Sequence, residues 1–66
     1  MKKAKVSLQA SEGLVFESAA RIYSAYLAGG KVKDGEEQQW MERSVKEAVQ
    51  LAHLVEQSVQ SDHEFD

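Results

Sequence analysis

The segment Gly29-Gly30-Lys31-Val32-Lys33-Asp34-Gly35 decides the fold, because it separates two stretches with helical patterning. It holds three of the four glycines of the chain, and the chain has no proline. Glycine tolerates the positive φ angles that turns and helix ends require. Gly29 suits the left-handed residue that ends a helix, so residues 29–34 are predicted to be a turn between two helices.

The stretch before the turn is predicted to be a helix over residues 11–28. Ser11 is a suitable N-cap, and Glu12 places negative charge in the first turn. Two apolar rows then follow at helical spacing. One row holds Val15, Ala19, Ile22 and Tyr26, and the other holds Phe16, Ala20, Tyr23 and Leu27. Two rows cover more surface than one partner helix can bury.

The stretch after the turn is predicted to be a longer helix over residues 35–60. Asp34 and Glu37 match the capping-box pattern that starts a helix. Its apolar seam consists of Met41, Val45, Ala48, Ala52, Val55 and Val59, and a second row holds Trp40, Leu51 and Leu54. Residues 61–66 are predicted to be an acidic, flexible tail.

Together these elements predict a single all-α domain built as an antiparallel helical hairpin. Folding back from the turn places Ile22 near Met41 and Ala19 near Val45. At 1.5 Å per residue the two helices span roughly 26 and 39 Å. The end of the second helix, including Val55, therefore extends past the start of the first and lies in water.

Association with a second copy is predicted to complete the core. Chains of this size bury a small share of their surface and need a disulfide, a metal or oligomerisation. The 66-residue chain has no cysteine, so disulfides are excluded. Exposed apolar area usually marks an interface, and two hairpins make a four-helix bundle.

The apolar residues divide into two predicted sets. The dimer or core interface is predicted to comprise Val15, Ala19, Ile22, Tyr26, Met41, Val45, Ala48, Ala52, Val55 and Val59. A possible surface for another protein comprises Phe16, Tyr23, Leu27, Trp40, Leu51 and Leu54. The partners predicted from the sequence are therefore a second copy of the chain and a further protein.

The N-terminal segment, residues 1–10, is basic and either extended or flexible. From Lys3 to Gln9 polar and apolar residues alternate, which is strand periodicity. A strand followed by two helices is similar to the ribbon-helix-helix DNA-binding proteins. The resemblance implies a dimer whose paired strands enter the major groove, with Lys3, Lys5 and Ser7 facing the bases. A dimeric DNA-binding regulator is therefore the alternative function. The acidic start of the second helix departs from this family, because it opposes phosphate.

No pattern in the sequence predicts catalysis, a cofactor or a metal site. His53 and Glu56 share one helix face, but they are a single pair, and a metal site needs more ligands. Ser61, Asp62, His63 and Glu64 lie in the predicted tail, which cannot fix reacting atoms. The protein is therefore predicted to be a non-enzymatic, homodimeric helical interaction module.

Charge and hydropathy predict where the protein is located and which classes of partner it lacks. The net charge is −3, which is not typical of a general nucleic-acid binder. No run of residues approaches the ~18 apolar residues of a membrane span. Together with the missing cysteine, this predicts a soluble, cytoplasmic protein without a membrane partner.

Overall fold

The computed structural model of the protein describes residues 10–62. These residues form two α-helices, α1 (Ala10–Ala28) and α2 (Glu37–Asp62), which pack against each other as a hairpin. Within the described residues there is no strand, and the prediction of an all-α hairpin is confirmed. The predicted strand or tail at Lys3–Gln9 lies outside the described residues, as do residues 63–66.

The end of α1 is set by Gly30. The amide of Lys31 donates to the carbonyl of Tyr26 at 3.0 Å, and the amide of Gly30 donates to that of Leu27 at 3.1 Å. This pair of bonds is a Schellman motif, which needs a left-handed residue. Gly30 supplies it with a φ of 74°. The left-handed position is therefore Gly30 and not Gly29, because the motif extends one residue further than the sequence pattern indicated.

The start of α2 is set by glutamates. The carbonyl of Glu36 accepts the first helical bond from the amide of Trp40 at 3.1 Å, so Glu36 is the N-cap and not Asp34. The Glu36 carboxylate accepts from the Lys33 amide at 3.3 Å, and that of Glu37 accepts from the Gly35 amide at 3.0 Å. These side chains take up loop donors, and α2 begins at Glu37, two residues later than predicted.

The contact between the helices is made by small side chains. Ala19, Ser44 and Ala48 are buried, and among the side chains described over 11–58 no large apolar residue is buried. Small residues let two helix backbones approach closely. The Ser44 hydroxyl donates to the carbonyl of Trp40 at 2.8 Å, so its burial leaves no unmet hydrogen bond.

The row of α2 that faces α1 is therefore Trp40, Ser44 and Ala48. The sequence pattern placed Met41 and Val45 against α1, and this register is wrong within one chain. Met41 and Val45 are each about half exposed. Relative to the predicted arrangement, α2 is rotated about its own axis by about one residue, or 100°.

Candidate interaction surfaces

Four side chains join the two helices beside the turn, and we call them the turn-end cluster: Tyr26, Trp40, Arg43 and Glu47. The rings of Tyr26 and Trp40 lie 4.7 Å apart between centroids, tilted by 55°. The Arg43 guanidinium carbon lies 5.7 Å from the Tyr26 centroid and 5.2 Å from the Trp40 centroid. These distances fit an aromatic pair with a cation over both rings.

Hydrogen bonds to Glu47 complete the turn-end cluster. The Tyr26 hydroxyl donates to one carboxylate oxygen at 2.6 Å, and Arg43 Nε donates to the other at 3.2 Å. The Tyr26 bond, followed by the Arg43 bond, lowers the pKa of Glu47. The same bond to Glu47, followed by burial, raises the pKa of Tyr26. The charges are thus matched within the chain, and the cluster serves to hold the helices together.

A second surface lies on the flank of α2, and we call it the α2 face: Met41, Val45 and Val49. These residues follow one another at intervals of four, so they form one row on the helix. Their exposed fractions lie between 37 and 48%. Glu42 and Lys46 run beside them, and a shallow depression lies between Met41, Glu42, Val45 and Lys46.

A third surface lies where the hairpin opens, away from the turn, and we call it the open-end groove. Leu14, Val15 and Ser18 line one side from α1, and Leu51, Ala52, Val55 and Glu56 line the other side from α2. Leu14, Leu51 and Val55 are 52 to 67% exposed, although they line a concave surface. Its volume is about 420 Å³, and its walls are mostly aliphatic.

The structure divides the predicted dimer or core residues between the helix contact and the exposed surfaces. Ala19 and Ala48 are buried in the contact within the chain, and Val15, Ile22 and Tyr26 are partly buried there. The others with described side chains are exposed: Met41, Val45, Ala52 and Val55. Val59 lies near the end of α2, where side chains are not described. Whether a second copy buries the exposed residues stays a prediction.

The predicted partner surface is likewise divided. Trp40 is partly buried in the turn-end cluster, and its indole nitrogen donates to Glu36 at 3.2 Å. Tyr23 is partly buried as well. The remaining members are exposed: Phe16, Leu27, Leu51 and Leu54. These four are the residues of that set that remain open to a partner.

The predicted DNA contacts Lys3, Lys5 and Ser7 lie outside the described residues. The start of α2 is within them, and it carries Asp34, Glu36 and Glu37. Two of these carboxylates accept hydrogen bonds from the amides of Lys33 and Gly35, which holds their negative charge beside the helix start. This end of α2 is therefore unsuited to phosphate.

Residues 10–62 contain no group of three metal-ligating side chains. His53 Nδ1 and Glu56 Oε1 lie 4.0 Å apart, and both side chains are more than two-thirds exposed. Neither α1 nor α2 combines the length and apolarity that a membrane crossing requires.

Several residues of these surfaces were not predicted from the sequence. Ser44 forms part of the helix contact, and Leu14 and Val49 add to the exposed surfaces. The spacing of Arg43 and Glu47 predicts their ion pair, which is confirmed, but it does not predict the hydrogen bond from Tyr26 to Glu47. One signal was present: Ser44, Ala48 and Ala52 are small residues at intervals of four. Such a row favours a close helix contact over the bulkier row of Met41 and Val45.

Comparison of the chain with known protein families, curated protein sequences and solved structures gives no match.

Proposed function

We propose that this protein is a non-enzymatic, homodimeric helical interaction module. One hairpin pairs with a second copy to form a four-helix bundle, and apolar surface left over binds another protein. It acts as a small regulator, adaptor or assembly factor in the cytoplasm. The observation that carries this proposal is the composition of the helix contact, in which the buried apolar residues among those described are two alanines.

The helix contact offsets only part of the free energy that ordering the chain costs. Fixing one residue's backbone costs roughly 1–2 kcal/mol, whereas a buried CH₂ group returns about 0.8 kcal/mol. Two alanines and a set of half-buried side chains offset little of the cost for 53 ordered positions, residues 10–62. Further apolar burial is needed, and the exposed apolar residues of α1 and α2 are available for it.

Those exposed residues are too large and too many for an ordinary surface. They are Leu14, Phe16, Leu27, Met41, Val45, Val49, Leu51, Leu54 and Val55. Single exposed apolar residues are normal on proteins, whereas contiguous apolar surface marks an interaction site. The α2 face and the open-end groove are each contiguous in this sense. Met41 and Val45 of the α2 face line one depression, and the residues of the open-end groove line another.

Substitution of Val45 tests the homodimer. Val45 is about half exposed in the single hairpin, so Val45→Asp costs an isolated hairpin little. In a dimer that buries it, loss of its apolar burial in both copies raises the dissociation constant by at least about tenfold. Sedimentation equilibrium measures the mass, which for the wild type is expected to be twice 7.4 kDa.

The matched control is Gln57→Asp, which adds the same charge at an exposed polar position of α2. It is expected to keep the wild-type mass. A wild type that stays monomeric up to its solubility limit contradicts the homodimer.

DNA binding through Lys3, Lys5 and Ser7 remains the alternative, and no observation on the described residues favours it. Our proposal predicts no change in the anisotropy of a labelled DNA duplex at low salt, where phosphate contacts are strongest. Salt-reversible binding that disappears when residues 1–9 are deleted establishes the alternative instead.

A further inference from the structure

The α2 face carries a charge pattern that is complementary to itself. Glu42 and Lys46 lie four residues apart beside the row of Met41, Val45 and Val49. The four residues that line the depression are all exposed: Met41, Glu42, Val45 and Lys46. Residues at this spacing occupy the same side of a helix. The face thus has an apolar row with one negative and one positive group along the same edge.

Within the chain these two charges are not joined to each other. The Glu42 carboxylate accepts a hydrogen bond from the side-chain amide nitrogen of Gln38, Nε2, at 3.0 Å. Lys46 belongs neither to the Arg43–Glu47 ion pair nor to the His53–Glu56 pair. Its ammonium group is therefore available to an acidic group on whatever covers the α2 face.

We propose that the α2 face is covered by the α2 face of a second copy, packed antiparallel with the two-fold axis beside Val45. This inference rests on the proposed homodimer and specifies its register. Val45 meets the partner's Val45, and Met41 meets the partner's Val49. Each Glu42 lies near the partner's Lys46.

The register follows from the spacing of the row. Reversing a helix about Val45 exchanges positions 41 and 49, so the two large apolar ends of the row meet each other. The same reversal brings Glu42 within two residues of the partner's Lys46 along the helix axis, or about 3 Å. That offset is small beside the length of the two side chains. A two-fold axis makes the ion pair twice, once on each side of Val45.

Charge complementarity is the reason to assign a second copy rather than an unrelated protein. A foreign partner needs its own acidic and basic groups at the matching spacing, whereas a second copy carries them already. A parallel arrangement places the Glu42–Lys46 edges of the two copies on opposite sides of the contact, so these charges do not pair there. The open-end groove is outside this contact and stays free for the further protein.

Mixing two charge-reversal variants tests the register. Glu42→Lys gives each chain two lysines along this edge, and Lys46→Glu gives each chain two glutamates. Each homodimer is then repulsive, and its dissociation constant is expected to rise about tenfold. An equimolar mixture is expected to form the heterodimer with a dissociation constant near that of the wild type.

The mixture separates contacts between chains from contacts within one helix. Both variants place like charges four residues apart in their own helix, so an effect within the helix weakens the heterodimer as much as the homodimers. Gln57→Lys, at an exposed position of the same helix, is the control for added positive charge. It is expected to leave the dissociation constant within about twofold of the wild type.

Single cysteines give a second measurement, because the chain has no cysteine of its own. Val45→Cys is expected to form a disulfide-linked dimer under mild oxidation. Met41→Cys and Val49→Cys are expected to cross-link when mixed and not alone. Alone, each cysteine lies about 12 Å along the helix from its copy, beyond the reach of a disulfide.

The outcomes separate this inference from the proposed function. A wild-type dimer in which neither charge reversal raises the dissociation constant overturns the antiparallel α2 contact and leaves the homodimer standing. So does a dimer in which Met41→Cys cross-links alone. A monomeric wild type overturns the proposed homodimer and this inference together.

Discussion

The two ends of the hairpin are built in opposite ways. At the turn end, Tyr26 and Glu47 join α1 to α2 by a 2.6 Å hydrogen bond, and Trp40 and Arg43 pack over the junction. At the open end, Leu14, Leu51 and Val55 line a groove and remain mostly exposed. Polar and aromatic groups close the first end within the chain, whereas no such group among the described residues closes the second end over its aliphatic side chains.

The contacts that fix the two helices relative to each other therefore lie at one end of the hairpin, and most of the exposed apolar groove lies at the other. Directional bonds fix one register of the helices at the turn end, because hydrogen bonds and ring contacts tolerate little displacement. Aliphatic contacts are less directional, so the open end adapts more easily to a partner. Substitutions at each end of the hairpin, and at the helix contact between them, test this division.

The largest effect is expected from Ala48→Leu, which enlarges a side chain buried between the two ends. Ala19 and Ser44 share this contact, and overpacking at such a site costs about 1–3 kcal/mol. Chemical denaturation followed by circular dichroism measures the loss. It is done at one protein concentration, since the stability of a dimer depends on concentration.

The control for this substitution is Gln50→Leu, which introduces the same side chain at an exposed position two residues away. Its free energy of unfolding is expected to change by less than about 0.5 kcal/mol. Equal stability of Ala48→Leu and the wild type shows that the helices are not in close contact at this point.

Two glycine substitutions compare the ends through the backbone. Gly30→Ala keeps the turn but forces alanine to a φ of 74°, so we expect a loss of about 1 kcal/mol. Gly13→Ala, near the start of α1, is expected to stabilise by about 0.5–1 kcal/mol through helix propensity. An added Cβ meets no atom within 4 Å at either site, so steric overlap does not enter. Thermal unfolding measures both, and the same sign for the two variants contradicts the backbone argument.

The smallest effect is expected from Tyr26→Phe, and it depends on pH. The pKa of Tyr26 is raised above 10.0, so its stabilisation is present below pH 10.0 and is lost as the pH rises through the raised value. The pKa of Glu47 is lowered below 4.5, so its stabilisation is present above pH 4.5 and is lost as the pH falls through the lowered value.

The difference in unfolding free energy between wild type and Tyr26→Phe is therefore expected to be greatest between these limits and to shrink on both sides. Urea unfolding across the pH range measures it. Tyr23→Phe is the control, since Tyr23 is a partly buried tyrosine of the same helix outside the cluster. A difference for Tyr26→Phe that does not vary with pH contradicts the role of the Glu47 bond.

The sequence predicted the two helices and the turn because these depend on local signals. Apolar spacing of three and four residues and the glycines at 29, 30 and 35 report on neighbouring residues only. The ends were displaced by one or two residues because caps depend on side-chain bonds. Glu36 and Glu37 bind loop amides in the structure, whereas the sequence pattern favoured Asp34.

The rotation of α2 was not predictable from hydrophobicity. Met41 and Val45 are more apolar than Ser44, so the apolar periodicity predicted that Met41 and Val45 pack against α1. The structure favours Ser44 and Ala48 because backbone approach depends on small volume, and the serine hydroxyl is satisfied by its own helix. The bond between Tyr26 and Glu47 joins residues 21 positions apart, so it requires the register to be known first.

The position of the Ala19 and Ala48 contact has a mechanical consequence. From Ala48 to Asp62, α2 extends for roughly 21 Å as an arm. A rocking motion of a tenth of a radian about the alanine contact moves the tip of that arm by roughly 2 Å, about a tenth of its length. The α2 residues of the open-end groove lie between this contact and the tip of the arm, so the angle at which the two alanines meet determines the width of the groove.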